Sequence, residues 1–113
     1  MVEVIGTGEF QEWFDGLSDK DSDAVTAIID LLEQMGVALP FPYSSAIRGA
    51  KIALRELRIQ SGGKPLRVFY TFDPRRNAVV LTGGDKTGDS NFYEQKVRES
   101  ERIYADYLKE TGQ

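Results

Sequence analysis

The chain predicts an α+β domain in which a small, mainly antiparallel sheet is packed by two N-terminal helices and closed by a C-terminal helix. Three observations carry that prediction. Apolar residues recur at helical spacing in two early segments and one late one, and runs rich in β-branched and aromatic residues fill 53–82 between short turn signals. The 113 residues suffice for one core and are too few for two. A single domain over 1–113, with no internal boundary, is expected.

Val2-Glu3-Val4-Ile5 alternates apolar and polar side chains as a half-buried strand does, and Gly6-Thr7-Gly8 ends it and starts a helix. In that helix Phe10, Trp13, Phe14 and Leu17 form a core-facing stripe. Ser18 and Asp21 supply a cap for a second helix, whose Val25, Ile28, Ile29, Leu32 and Met35 share one face and which Gly36 stops. Leu39-Pro40-Phe41-Pro42-Tyr43 cannot continue a helix, because proline lacks the amide donor and biases its predecessor toward extended backbone. An extended connection ending at Gly49 is expected there.

Residues 53–60 and 66–73 read as strands joined by a turn at Gly62-Gly63-Lys64-Pro65. Pro74-Arg75-Arg76-Asn77 makes a second tight turn with Pro74 at its first central position, and 78–82 completes an antiparallel three-stranded meander. Gly83 to Gly88 reads as a loop, after which Asp89 or Ser90 caps a last helix carrying Tyr93, Val97, Tyr104, Tyr107 and Leu108 on its apolar face. The predicted order is β-α-α-β-β-β-α, without repeats or low-complexity tracts.

Composition excludes several chemistries. The chain has no cysteine, which removes disulfides, thiolate metal sites and thiol nucleophiles, and no histidine, which removes the usual general base and transition-metal ligand. No cofactor or metal is expected, and any catalysis falls to Arg, Lys, Tyr, Asp, Glu or Ser. Neither a long apolar run nor a secretory pattern is present, so a cytoplasmic protein with no membrane partner is expected.

The formal net charge of −4 hides a strong asymmetry. Residues 1–47 hold one basic residue, Lys20, against nine acidic ones, whereas 48–86 hold nine basic and three acidic. An acidic front joined to a basic middle suggests one face for a polyanion and another for a different purpose; two oppositely charged surfaces that merely keep the chain soluble are the plainer alternative. Two phosphate-loop readings fail. Asp85 stands where a nucleotide-binding Gly-Lys-Thr needs glycine, and Gly6-Thr7-Gly8 lacks the third glycine of a dinucleotide fingerprint, since position 11 is Gln11.

What remains is Arg58, Arg67 and Lys86, with Tyr93 one turn into the last helix. Neighbouring strands lie about 5 Å apart, so residues on one face of two adjacent strands can hold one phosphate together. Arg grips it bidentately and Lys supplies a point charge. With such a cradle an RNA 2′-hydroxyl could attack the adjacent phosphate while the cations stabilise the transition state and Lys or Tyr moves protons. Arg58 and Arg67 each sit inside an apolar strand, where a charge is costly unless the face opens to solvent or a ligand. Arg55, Arg75 and Arg76 read, on pattern alone, as ordinary strand and turn cations. Lys51, Arg55, Lys64 and Phe92 are the positions expected to contact substrate around the cluster.

Residues 54–108 resemble the phage-derived HigB-like branch of the RelE/ParE toxin superfamily. The resemblance rests on Glu56-Leu57-Arg58, on Arg67-Val68-Phe69-Tyr70, and on Gly83-Gly84-Asp85-Lys86-Thr87-Gly88 before an alternately charged C-terminal helix. It implies a RelE-like fold and a type II toxin acting as a metal-independent, ribosome-dependent mRNA endoribonuclease. Arg58, Arg67 and Lys86 would bind phosphate and stabilise the transition state. Tyr93, or less directly Phe92, would stack on or orient a base. The implied partners are mRNA, the ribosome and a small helix-turn-helix antitoxin, with DNA reached only through that antitoxin.

Two other functions stay open on the sequence: a ParE-like inhibitor of DNA gyrase, since a shared fold does not dictate function, and a non-catalytic remnant that only binds an antitoxin. The three cations favour the ribonuclease, because a pure gyrase binder needs no phosphate cradle. The acidic helices, Asp21 and Asp23 included, are expected to point away from the ribosome, where like charge would repel RNA phosphates.

Overall fold

A computed structural model describes residues 1–113. Its elements are β1 (Val4–Gly6), α1 (Gly8–Asp15), α2 (Asp19–Met35), a 3-10 turn (Gly36–Ala38), β2 (Ser44–Ala46), β3 (Arg55–Ser61), β4 (Lys64–Phe72), β5 (Ala78–Asp85) and α3 (Phe92–Glu110). The α+β class and the predicted order hold, with one strand added. The sheet runs β1-β5-β4-β3-β2; β1 pairs parallel with β5 and every other pair is antiparallel.

The added strand, β2, lies at the edge and pairs Ser44 with Leu57 and Ala46 with Arg55. Ser-Ser-Ala has no β-branched or aromatic residue to signal a strand. Long-range bonds hold it instead: Ser44 Oγ and Tyr70 Oη lie 2.6 Å apart, and Arg55 Nε donates to Ser44 Oγ at 3.0 Å.

The caps follow the sequence closely at two helices. Thr7 Oγ1 accepts from the Phe10 amide at the start of α1, and Ser18 Oγ accepts from the Asp21 amide at the start of α2. Gly36 stops α2 with φ of 55°. At α3 the expected cap shifts: Asn91 is the N-cap residue, and Asp89 Oδ1 accepts from its amide at 3.0 Å in the turn before the helix. Asp21 is not part of an acidic surface. It is buried, accepts from Ser61 Oγ at 2.6 Å and pairs with Lys64, which ties the start of α2 to the β3–β4 hairpin.

Each face of the sheet carries its own core. Phe10, Val25, Leu32, Leu57, Ile59, Val68, Tyr70 and Val80 pack beneath α1 and α2. Leu54, Phe69, Val79, Leu81, Phe92, Ile103 and Tyr107 pack beneath α3. Strand alternation therefore puts Glu56 and Arg58 of β3, and Arg67 of β4, on the α3 face.

The loop predicted from Gly83 begins three residues later than expected, at Lys86, because β5 runs to Asp85. A register irregularity opposite Phe69 and Tyr70 leaves Leu81 unpaired with β4. Beyond it Gly83 lies under Trp13 and Gly84 under Phe92 and Lys96. A Cβ at Gly83 would stand 2.4 Å from the Trp13 ring, and one at Gly84 2.8 Å from the Phe92 ring. The two glycines serve helix–sheet packing on opposite faces, not phosphate binding.

Candidate functional site

Arg58 and Arg67 are register partners across β3 and β4. Two cations directly opposite on one face would repel, and Glu56 answers that repulsion from two positions earlier on β3. Its Oε2 lies 3.5 Å from Arg58 Nη1 and its Oε1 lies 3.3 Å from Arg67 Nε. The third contact comes from α3: Tyr93 Oη donates to Glu56 Oε1 at 2.7 Å. Lys86, just past β5, holds its ammonium 5.4 Å from the centre of the Tyr93 ring. The Lys86 amide donates to Pro65 O at 3.1 Å, which fixes this residue beside the start of β4.

The structure thus brings Arg58, Arg67 and Tyr93 together around a carboxylate to which sequence reasoning assigned no role, with Lys86 beside the Tyr93 ring. Glu56 was legible in principle, since residues i and i+2 of a strand share a face and Glu56-Leu57-Arg58 places an acid beside the arginine. It changes the electrostatics: the cradle expected to be free is partly neutralised at rest. Arg58 keeps 32% of its side chain exposed and lies 5.4 Å over the Phe41 ring, whereas Arg67 keeps only 5%. Arg67 Nη1 donates to Leu66 O at 3.0 Å, but its Nε–H, buried and near Glu56, is aimed at no acceptor. A buried donor without a partner is costly.

Burial and the hydrogen bond to Glu56 raise the Tyr93 hydroxyl above its ordinary pKa of 10.0, with the Arg67 guanidinium pulling the other way. Tyr93 is therefore a protonated phenol at neutral pH, a proton donor and not a base.

The remaining predicted positions divide. Arg55 points to the opposite face of the sheet, bonded to Ser44 beside Tyr70, and Lys64 pairs with Asp21 on that same face. Neither shares the space of Arg58 and Arg67, because odd and even positions of a strand face opposite ways. Phe92 is 4% exposed and packs against Phe69, so its ring is core and no base can stack on it. Lys51 is exposed on the rim of a cleft of about 680 Å³ between the 46–51 segment and α3, whose floor is Glu56 and Tyr93. Its amide donates to Glu101 Oε2 of α3. No three His, Cys, Asp or Glu side chains are grouped to hold a metal ion, and no helix is long and apolar enough to cross a membrane.

Comparisons with known proteins bear on the family and the fold. The family described as "Phage derived protein Gp49-like (DUF891)" matches residues 12–105. The chain is 33% identical over 99 residues to "Putative toxin HigB2" of Mycobacterium tuberculosis, covering 85% of this chain and 49% of that one, so it spans about half that relative's length. It is 33% identical over 96 residues to "Putative toxin HigB3" of the same organism, covering 83% of this chain and 82% of that one. In fold it is similar to a mutant of the E. coli toxin RelE in the free state, with a TM-score of 0.61 over 86% of this chain and 96% of that one, at 10% identity. The chain belongs to the phage-derived Gp49-like family, among the relatives of the HigB proteins, and it has a RelE-like fold.

Proposed function

We propose that this protein is the toxin of a type II toxin-antitoxin pair and that it cleaves messenger RNA on the ribosome by attack of a ribose 2′-hydroxyl on the adjacent phosphate. The observation that carries the reading is the facing pair Arg58 and Arg67, with an unpartnered N–H on Arg67. Arg58 is the reachable guanidinium that meets the phosphate first. Arg67, fixed by packing, holds the second oxygen where charge accumulates in the transition state, and a preorganised donor of this kind is worth about 3–4 kcal/mol. Lys86 adds a third positive charge beside Tyr93, and Tyr93 presents its phenol to the reacting groups. A guide for substrate on a ribosome is consistent with Arg48, Lys51 and Arg98 lining the cleft above Glu56.

An antitoxin partner, cytoplasmic action and growth arrest go with this reading. The HigB-like relatives are named as toxins, and a toxin needs a protein that restrains it. Inducing the chain in a bacterial host and mapping mRNA 5′ ends tests the proposal: arrest with new cleavage sites is expected, abolished by Arg67→Ala or Lys86→Ala. Arrest with intact mRNA would transfer the case to a gyrase inhibitor, and absence of arrest to a binding remnant.

A further inference from the structure

We infer that Glu56 and Tyr93 form a catalytic proton pair, with Glu56 taking the proton from the attacking 2′-hydroxyl, Tyr93 giving one to the departing 5′-oxygen, and their mutual hydrogen bond restoring both. The inference deepens the ribonuclease reading and rests on it. Glu56 is the only carboxylate at the centre of the cluster, and it touches Arg58, Arg67 and Tyr93 from three different elements. Although Glu56 is buried against the sheet, both it and Tyr93 line the floor of the cleft between the 46–51 segment and α3. A ribose held there reaches both groups.

At rest the carboxylate occupies the guanidiniums. An arriving phosphodiester competes for the two guanidiniums that Glu56 now pairs with, Arg58 at 3.5 Å and Arg67 at 3.3 Å. Drawing the guanidiniums toward phosphate frees the carboxylate oxygens to accept the 2′-hydroxyl proton. The charged groups around this position are Arg58 on β3 and Arg67 on β4, Lys86 beside the Tyr93 ring, Arg48 and Lys51 on the 46–51 wall of the cleft, and Glu94, Arg98 and Glu101 on its α3 wall.

The step balances within the chain and its substrate. The 2′-O–H proton passes to Glu56, the 2′-oxygen forms its bond to phosphorus, and the bond from phosphorus to the 5′-oxygen breaks with its electron pair on oxygen. That oxygen takes the Tyr93 proton. The products are a 2′,3′-cyclic phosphate and a 5′-hydroxyl. The phenolate then recovers a proton from protonated Glu56 along the 2.7 Å hydrogen bond already present, and the site returns to its starting state.

The test uses single-turnover cleavage of ribosome-bound mRNA at the site mapped for the wild-type chain, with either the normal 5′-oxygen or a bridging 5′-sulfur at that phosphate. A thiolate leaves without being protonated, so only the base is then needed. Tyr93→Phe is expected to slow the oxygen substrate by about 100-fold or more and to cleave the sulfur substrate at nearly the wild-type rate. Glu56→Gln, which keeps the shape and an acceptor for Tyr93, is expected to be slow on both by a similar factor, with Glu56→Asp partly restoring each. Tyr93→Phe slowed equally on both substrates, or Glu56→Gln cleaving within a few fold of wild type, would overturn the pair. Should Glu56→Gln not fold, the Tyr93→Phe contrast still decides. A wild-type chain that cleaves neither substrate would instead overturn the ribonuclease reading itself.

Discussion

Arg58 and Arg67 face each other across β3 and β4, and the Glu56 carboxylate bridges them, 3.5 Å from one guanidinium and 3.3 Å from the other. One negative charge between two positive ones makes the pairing tolerable in a chain without ligand and leaves a net positive charge to recruit a phosphate.

Arg67 is the residue whose geometry cannot be replaced by charge alone. Arg67→Lys keeps the cation but loses the fork and the unpartnered Nε–H, so single-turnover cleavage is expected to fall by about 10²–10³, with the far-UV spectrum unchanged. Retention of wild-type cleavage by the lysine variant would mean that Arg67 acts only through its charge.

Arg55 supplies the contrast, since it lies on the opposite face with Ser44. Arg55→Lys is expected to leave cleavage within about twofold and to reduce stability by roughly 1 kcal/mol through the lost bond to the edge strand. Denaturant titration beside the cleavage assay separates the two effects.

Gly83 and Gly84 are predicted to be intolerant for packing reasons. Gly83→Ala would drive a methyl into the Trp13 ring, where the bare Cβ already stands at 2.4 Å, and overpacking of this kind costs about 1–3 kcal/mol. Gly8→Ala, whose Cβ meets nothing within 4 Å, is the control and should be neutral or slightly stabilising. Melting temperatures of the two variants check the difference.

Much of this architecture was legible in the chain, and the exceptions share a cause. The helical stripes of Phe10 to Leu17 and of Val25 to Met35, the meander and the turn at Gly62-Gly63, where both residues take positive φ, follow from local periodicity and turn chemistry. The missed features are long-range. Ser44 to Ala46 becomes a strand only because Arg55 and Tyr70 hold Ser44. The two glycines of β5 are dictated by rings on helices far away in sequence. Arg58, Arg67 and Lys86 were legible as cations and Tyr93 as an aromatic beside them, whereas Glu56, counted as part of a motif, gained a role only when the side-chain contacts showed whom it touches. From the sequence Lys64 reads as a substrate contact and Asp21 as part of a cap on an acidic helix, and only tertiary contact joins the buried Asp21 carboxylate to the partly exposed Lys64.

That pair gives the fold an acid dependence. The hydrogen bond from Lys64, then that from Ser61, lower the Asp21 pKa below the 3.8 of a free aspartate despite its burial. A carboxylate depressed by folding contributes stability that is present above its unfolded pKa and lost as pH falls through the folded one. Stability measured by denaturant should therefore decline below about pH 4 in the wild type. Asp21→Asn should flatten that decline, whereas Asp23→Lys on the exposed side of α2 should not alter it.

Tyr107 produces the opposite limb. Burial first, and its donation to Asp73 Oδ2 at 2.8 Å, raise its hydroxyl above the ordinary 10.0. An acid favoured in its protonated form by folding contributes stability below its unfolded pKa that is lost as pH rises through the folded value. Tyr107→Phe is expected to cost about 1 kcal/mol at pH 7 and to lose less than the wild type on going to strongly alkaline buffer.

The most direct test of the central claim is the fate of mRNA during induction of the wild-type chain and of Arg67→Ala, read by mapping 5′ ends as growth is followed. The account predicts arrest with new 5′-hydroxyl ends in the wild type and neither in the variant. Growth arrest of equal strength in both, with mRNA intact, would contradict it.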